Sequence, residues 1–273
     1  MKLDIHRTSS LDVSMQFSTM YIPPYSKNMV AVPPTLSPLV RQRILSVLND
    51  CSKNVVSRGA VAFIKNVEPI LQNGPQCGLV ALQMAVKAHG LPYRNMDEIF
   101  QYAKRKGYTN HGEIFSADWL ADIAASLWPM LDVAVENVPS TTQMEQLVQE
   151  NALLLVPYDC DKNHQPSNRG GHSAHWCLVI GFLCPVKELE TIAWNTISAH
   201  TCSKATHVFC VHGKSRHIAV WNYSQLVASN LNLREALAKV IDYVIPSSDL
   251  STLRNRCVVV RYRSNTTASN AIS

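Results

Sequence analysis

The 273-residue chain has no CxxC pair and no evenly spaced cysteine framework, although cysteines stand at 51, 77, 160, 177, 184, 202, 210 and 257. A disulfide scaffold or a zinc ribbon needs such spacing, so the thiols read as free. One tighter group, His200, Cys202, His207, Cys210 and His212, falls where the pattern reads as a strand. Side chains alternate faces along a strand, so Cys210 and His212 would point one way and His207 the other, which argues against a metal site. No apolar run approaches the roughly 18 residues of a membrane span, and no apolar segment of signal-peptide type follows Met1-Lys2. A soluble, cytoplasmic protein without a membrane partner is expected. There is no Lys/Arg block either. The net charge of +5 is mild, so nucleic acid is not implied, though an acidic substrate would suit it. Charged residues make up 16% of the chain and hydrophobic ones 47%, which supports a sizeable core.

What the chain does have is concentrated in Leu71-Gln72-Asn73-Gly74-Pro75-Gln76-Cys77-Gly78-Leu79-Val80-Ala81-Leu82. A glycine-proline turn leads into a cysteine that opens an apolar helix. Unpaired backbone N–H groups and the positive end of the helix dipole meet the sulfur there, and both favour thiolate over thiol. Gln72 can turn its amide toward the oxygen that becomes negative when a thiolate attacks a carbonyl. Gln76, next to the sulfur, is the natural comparison. The helix from 78 to 89 is apolar nearly all round, and Gly90 and Pro92 stop it. The reading is a cysteine hydrolase that needs no cofactor.

Residues 1–36, with Pro23-Pro24 and Pro33-Pro34, read as a mostly irregular arm, 37–263 as one catalytic domain, and 264–273 as a disordered polar tail. Helices are expected from Ser37 and Pro38, over 95–106, after Ser116, and over 141–150. Strands are expected around 131–135, 152–158, 175–182, 206–212, 217–223 and 256–262, with helical stretches to about 244. Helices first and an antiparallel sheet second describe an α+β fold with a cleft where the halves meet.

A cysteine hydrolase needs an imidazole within reach of the sulfur. His89 sits twelve residues along the same helix, roughly 18 Å away by helix rise, and is excluded. His111, His164 and His172 fall in polar loops. His175 stands at the mouth of a buried strand after Gly170-Gly171 and is the expected base, with His172 as alternate. For the third residue, His212 is favoured. If 206–212 pairs antiparallel with the His175 strand, its end returns beside His175. Asn222 would finish at the far end of the sheet, and Asn195 and Asp161 are loop alternatives.

These residues resemble the animal actin maturation proteases, which are papain-like cysteine peptidases related to those that trim bacteriocin leaders. The likeness rests on the Cys77 run, on Gly171-His172-Ser173-Ala174-His175-Trp176, and on Gly213-Lys214-Ser215-Arg216 followed by Trp221-Asn222-Tyr223 and Ser229-Asn230. It implies that Cys77 is the nucleophile, His175 the base and Gln72 the oxyanion donor. It further implies removal of an acetylated N-terminal methionine or cysteine from nascent actin, exposing the acidic residue behind. Vertebrate members carry a long proline-rich arm suited to profilin-type partners. Only two Pro-Pro pairs stand here, so profilin recruitment is not expected. An acyltransferase, an isopeptidase and a non-enzymatic relative are the rival readings.

Overall fold

A computed structural model describes residues 18–22, 37–52, 59–186, 204–236 and 242–263. The chain order is β1 (Ser18–Ile22), α1 (Pro38–Ser52), β2 (Gly59–Ile64), α2 (Cys77–Ala88), α3 (Met96–Arg105), α4 (Ala117–Leu127), β3 (Leu131–Glu136), α5 (Thr141–Gln149), β4 (Leu153–Asp159), β5 (Ala174–Val186), β6 (His207–Val211), β7 (Ala219–Asn222), α6 (Tyr223–Leu231) and β8 (Cys257–Tyr262). The fold is α+β, built on one antiparallel sheet. Local chemistry sets the helix starts as expected. Asn95 caps α3 by accepting the Asp97 N–H, Ser116 caps α4, and Ser140 with Gln143 forms a reciprocal capping box on α5.

The sheet is larger than a second-half sheet. Its order is β1-β2-β5-β4-β8-β3, with β6 on β5 and β7 on β6. Two of its strands, β1 and β2, come from before α2. Residues 18–22, inside the stretch expected to be mostly irregular, pair antiparallel along β2. The physical reason is the edge of β2, whose backbone groups need partners that the Thr19, Tyr21 and Ile22 segment can supply. The expectations for the rest of 1–36, for 237–241 and for the 264–273 tail lie outside the described residues.

Strand β5 organises everything else. Its first half pairs β4 and its second half pairs β2, while β6 covers residues 178–183. Because those spans overlap, β4 and β2 share one edge and β6 takes the other. A register shift between Val179 and Gly181 lets one strand serve three partners. Its effect shows in the alternation: Trp176, Leu178, Ile180 and Leu183 join one core, and Cys177, Val179, Phe182 and Cys184 join the other. Gly181 is required at the shift, since a Cβ would lie 2.1 Å from the Phe63 carbonyl oxygen.

Residues of α1–α4 contribute to the first core and those of α5 and α6 to the second, so the sheet lies between two layers. Helix α2 is nearly buried all round, as its sequence requires. At about 1.5–3 kcal/mol for each large apolar side chain taken from water, its leucines, valines and Met84 hold it firmly against the sheet. That rigidity fixes the position of its first residue, Cys77.

Candidate active site

Cys77 begins α2 at its contact with β5. Gly78 allows the approach: a Cβ there would lie 3.1 Å from the Trp176 ring. Trp176 is in turn fixed by its indole N–H, which donates to the Ile114 carbonyl at 3.0 Å. Gln76, at the N-cap, makes no side-chain capping bond, so the first-turn amides of α2 stay open toward the cleft. Backbone N–H groups of Trp176, Gly78 and Cys77 itself are directed at the sulfur. The sulfur therefore sits against the residue that follows His175.

Cys77, His175 and Gln72 line one cleft of about 390 Å³, together with Pro75, Glu113, Ile114, Phe115, Trp176, Lys214, Tyr243 and Leu253. His175 is buried, with its ring 5.8 Å from Tyr158, 5.3 Å from His164 and 5.6 Å from His212. Its Nε2 is buried without a hydrogen-bond partner among the described residues. His212 arrives as expected, because β6 pairs antiparallel with β5 and its C-terminal end returns beside His175. It lies between Trp221, stacked at 5.6 Å, and His164, stacked at 5.8 Å.

The other sequence candidates go elsewhere. Asn222 pairs with His207 at the far end of β6 and caps α6 through the Gln225 N–H. Asp161 orders its own loop, accepting from the Asn163 and Gln165 amides. His172 points at Glu235, 3.5 Å away, and is not part of the cleft wall. His89 contacts the Val260 carbonyl beyond the other end of α2. Asn195, His200 and Cys202 lie outside the described residues. Cys77, Cys160, Cys177, Cys210 and Cys257 carry free thiols.

One sequence reading is corrected. The helix start was expected to lower the thiol pKa, yet burial pushes Cys77 up to about 11, and the three backbone amides and Lys214 only partly oppose it. Burial likewise takes His175 down to about 3, helped by His212, His164 and Lys214. Burial lowers His212 to about 4, with His164 and Arg43 adding to the effect. Both shifts favour a neutral thiol and a neutral imidazole at rest. A thiol with a raised pKa becomes more reactive as pH rises. Iodoacetamide labelling of Cys77, read by mass spectrometry, should therefore increase about tenfold per pH unit between roughly pH 6 and 9. A rate already flat below neutrality would mean a thiolate–imidazolium pair at rest.

Gln72 holds a defined pose. Its amide N–H₂ donates to the Gly74 carbonyl at 2.6 Å, and its backbone N–H donates to the Gly213 carbonyl at 2.8 Å. Gly213 is obligatory for this, because a Cβ would meet Gln72 Oε1 at 2.6 Å. Glu113, the carboxylate of the cleft wall, accepts backbone N–H groups from Asn110, His111 and Val244 at 2.8–3.1 Å. These bonds outweigh its burial and hold its pKa below the usual carboxylate value. Sequence reasoning missed His164, dismissed as a loop residue; only the folding of its loop back over β5 brings it to His175.

A sequence profile described as "Actin maturation protease-like, C-terminal domain" matches residues 67–183. The Drosophila melanogaster actin maturation protease is 33% identical over 204 residues, covering 71% of this chain and 69% of its own length. The chain belongs to the actin maturation protease family. The Mus musculus member is 32% identical over 218 residues, covering 68% of this chain and 60% of its own. The Homo sapiens member is 28% identical, covering 68% and 61%. The chain thus spans about 60–70% of the length of these actin maturation proteases. A C39-like peptidase structure from Bacillus anthracis aligns with 73% of this chain and 96% of its own at TM-score 0.47 and 10% identity.

Proposed function

We propose that this peptidase removes the acetylated N-terminal methionine or cysteine from nascent actin and exposes the acidic residue behind it. The observation that carries the reading is the kinship to proteins named actin maturation protease, in a chain whose cleft holds a helix-start cysteine beside a strand-mouth histidine. Cleft size favours it over an isopeptidase: about 390 Å³ lies at the small end of ligand sites and suits one capped residue rather than a long tail. An acetyl group also removes the terminal positive charge, so the pocket need carry no buried anion to meet it. Action on nascent actin would place the protein in the cytoplasm. No helix among the described residues is long and apolar enough to cross a membrane.

In this mechanism His175 takes the Cys77 thiol proton as the sulfur attacks the carbonyl carbon of the acetylated residue. The neutral resting pair makes that proton transfer part of the attack rather than a prior step. The Gln72 amide and the Cys77 backbone N–H hold the oxyanion. His175 then gives its proton to the departing amine, the carbon–nitrogen bond breaks, and trimmed polypeptide leaves with a thioester behind. Water, deprotonated by His175, attacks the thioester and releases the acetyl-amino acid, restoring the thiol. His212 and His164 flank the imidazole, their rings 5.6 and 5.3 Å from its own.

A panel of acetyl-Met and acetyl-Cys peptides beside their free-amine versions tests the reading. Acetylated peptides should be cleaved at least about tenfold better by kcat/KM, since a free amine would lose its hydration in a cleft whose carboxylate, Glu113, is already committed to backbone amides. Equal cleavage of the free-amine peptides would replace it with an ordinary aminopeptidase role. Transfer of the acyl group to an added amine in preference to water would favour the acyltransferase.

A further inference from the structure

The loop after β6 runs His212-Gly213-Lys214-Ser215-Arg216-His217, and its backbone is held at several points. The Gly213 carbonyl accepts from Gln72, and the Lys214 N–H is directed at His212 Nδ1, 3.4 Å away. Ser215 Oγ accepts from the His217 N–H at 3.0 Å and donates to the His217 carbonyl at 3.2 Å. Lys214 therefore leaves the backbone from a fixed point between the Gln72 turn and the histidine group. Its side chain is exposed, and it lines the cleft with Cys77 and His175.

Among the described residues no carboxylate pairs with Lys214 or Arg216, although Lys87, Lys106, Arg254 and Arg256 all have acidic partners. Glu113, the carboxylate in the cleft wall, is already committed to backbone amides. A positive charge thus stands at the lip of a cleft whose wall also presents Ile114, Phe115, Trp176 and Leu253. The two kinds of surface divide a substrate. An apolar side chain fits the wall, and an anionic one is drawn to the lip.

We propose that Lys214 is a specificity-determining residue that pairs with a carboxylate side chain on the residue just beyond the scissile bond. The placement rests on the peptidase reading above, in which His175 hands its proton to the leaving amine. The leaving residue must then pass beside His175, where the Lys214 charge is felt along with His164. The pair has a second consequence. Unpaired, Lys214 opposes a positive charge on His175; a substrate carboxylate cancels that opposition when the imidazolium must form. The acid should therefore raise kcat as well as lower KM.

The experiment uses the full chain and three peptides, acetyl-Met-Asp, acetyl-Met-Asn and acetyl-Met-Lys, each followed by one common neutral sequence. They are assayed with the wild type, Lys214→Gln, Lys214→Glu and Lys214→Arg, with thermal melts to check folding. The wild type should cleave the Asp peptide about tenfold better than the Asn peptide, with the Lys peptide poorest, and the preference should shrink as salt rises. Lys214→Gln should erase the Asp-over-Asn preference, Lys214→Arg should keep it, and Lys214→Glu should favour the Lys peptide. Cleavage of all three peptides alike by the wild type, or an Asp preference retained by a folded Lys214→Glu, overturns the proposal and leaves the peptidase reading standing. If the wild type cleaves none of them, the peptidase reading fails and takes this one with it.

Discussion

Cys77→Ala is expected to abolish peptide cleavage, with a loss on the order of 10⁶-fold in kcat, while the folded structure persists. The size follows from the chemistry: without sulfur there is no thioester, and only the oxyanion donors and the binding cleft are left to act on water. Persistence of the fold follows from the position. Cys77 is half-buried at the first turn of α2, Ala is the better helix former, and only a few contacts with Trp176 are lost. Stability should change by no more than about 1 kcal/mol, read as a small shift in thermal midpoint. Among the described residues Cys160, Cys177, Cys184, Cys210 and Cys257 are all buried, so none of these can take over. Turnover retained by a folded Cys77→Ala protein would remove the cysteine-peptidase assignment of this cleft. A scaffold without activity is ruled on by the same assay, since the wild type must first turn over.

Much of the site is legible in the residues because its parts are local. The turn before Cys77, the apolar helix after it and the glycine pair before His175 are each short-range patterns, and each lands where its pattern predicts. His212 needed one further step, the antiparallel return of β6 along β5, which a meander supplies. What the sequence does not carry is what distant segments do to the same atoms. The helix-start argument for a low thiol pKa counts only α2. The burial that reverses it comes from residues such as Trp176 and Ile114, far along the chain. His164 reads as a solvated loop residue because nothing in its neighbourhood shows that Tyr158 will bind its carbonyl and bring the ring over His175. The shared edge of β5 is likewise hidden. Gly181 marks a bulge, but that β2 and β4 would both use one edge depends on the register of strands more than a hundred residues apart in the case of β2.

Gln72→Ala should lower kcat by about 10²–10³-fold with little change in KM. The Gln72 amide carries two N–H groups, and the Gly74 carbonyl takes one, which fixes the plane of the amide and leaves the other for a developing oxyanion. Gly213 fixes the same plane from the opposite side, since no larger residue fits against Oε1. A donor held this way costs no reorganisation when charge appears, and it gains little from a neutral ground-state carbonyl. That difference is why the loss should fall on kcat. The backbone bond from Gln72 to Gly213 survives the substitution, so the Lys214 loop keeps its anchor and substrate binding should persist. Gln76→Ala serves as the comparison. Its side chain lies against Gly112, 2.4 Å from where a Cβ would stand there, and is not part of the cleft wall, so kcat should change by less than about threefold. If Gln72→Ala instead keeps kcat and raises KM, the residue binds substrate, and the α2 amides alone must carry the oxyanion. Gln72→Glu separates the cases further. It preserves shape but turns an acceptor toward the oxyanion, so it should be slower than the alanine variant if Gln72 stabilises negative charge there, and no slower if it only shapes the turn.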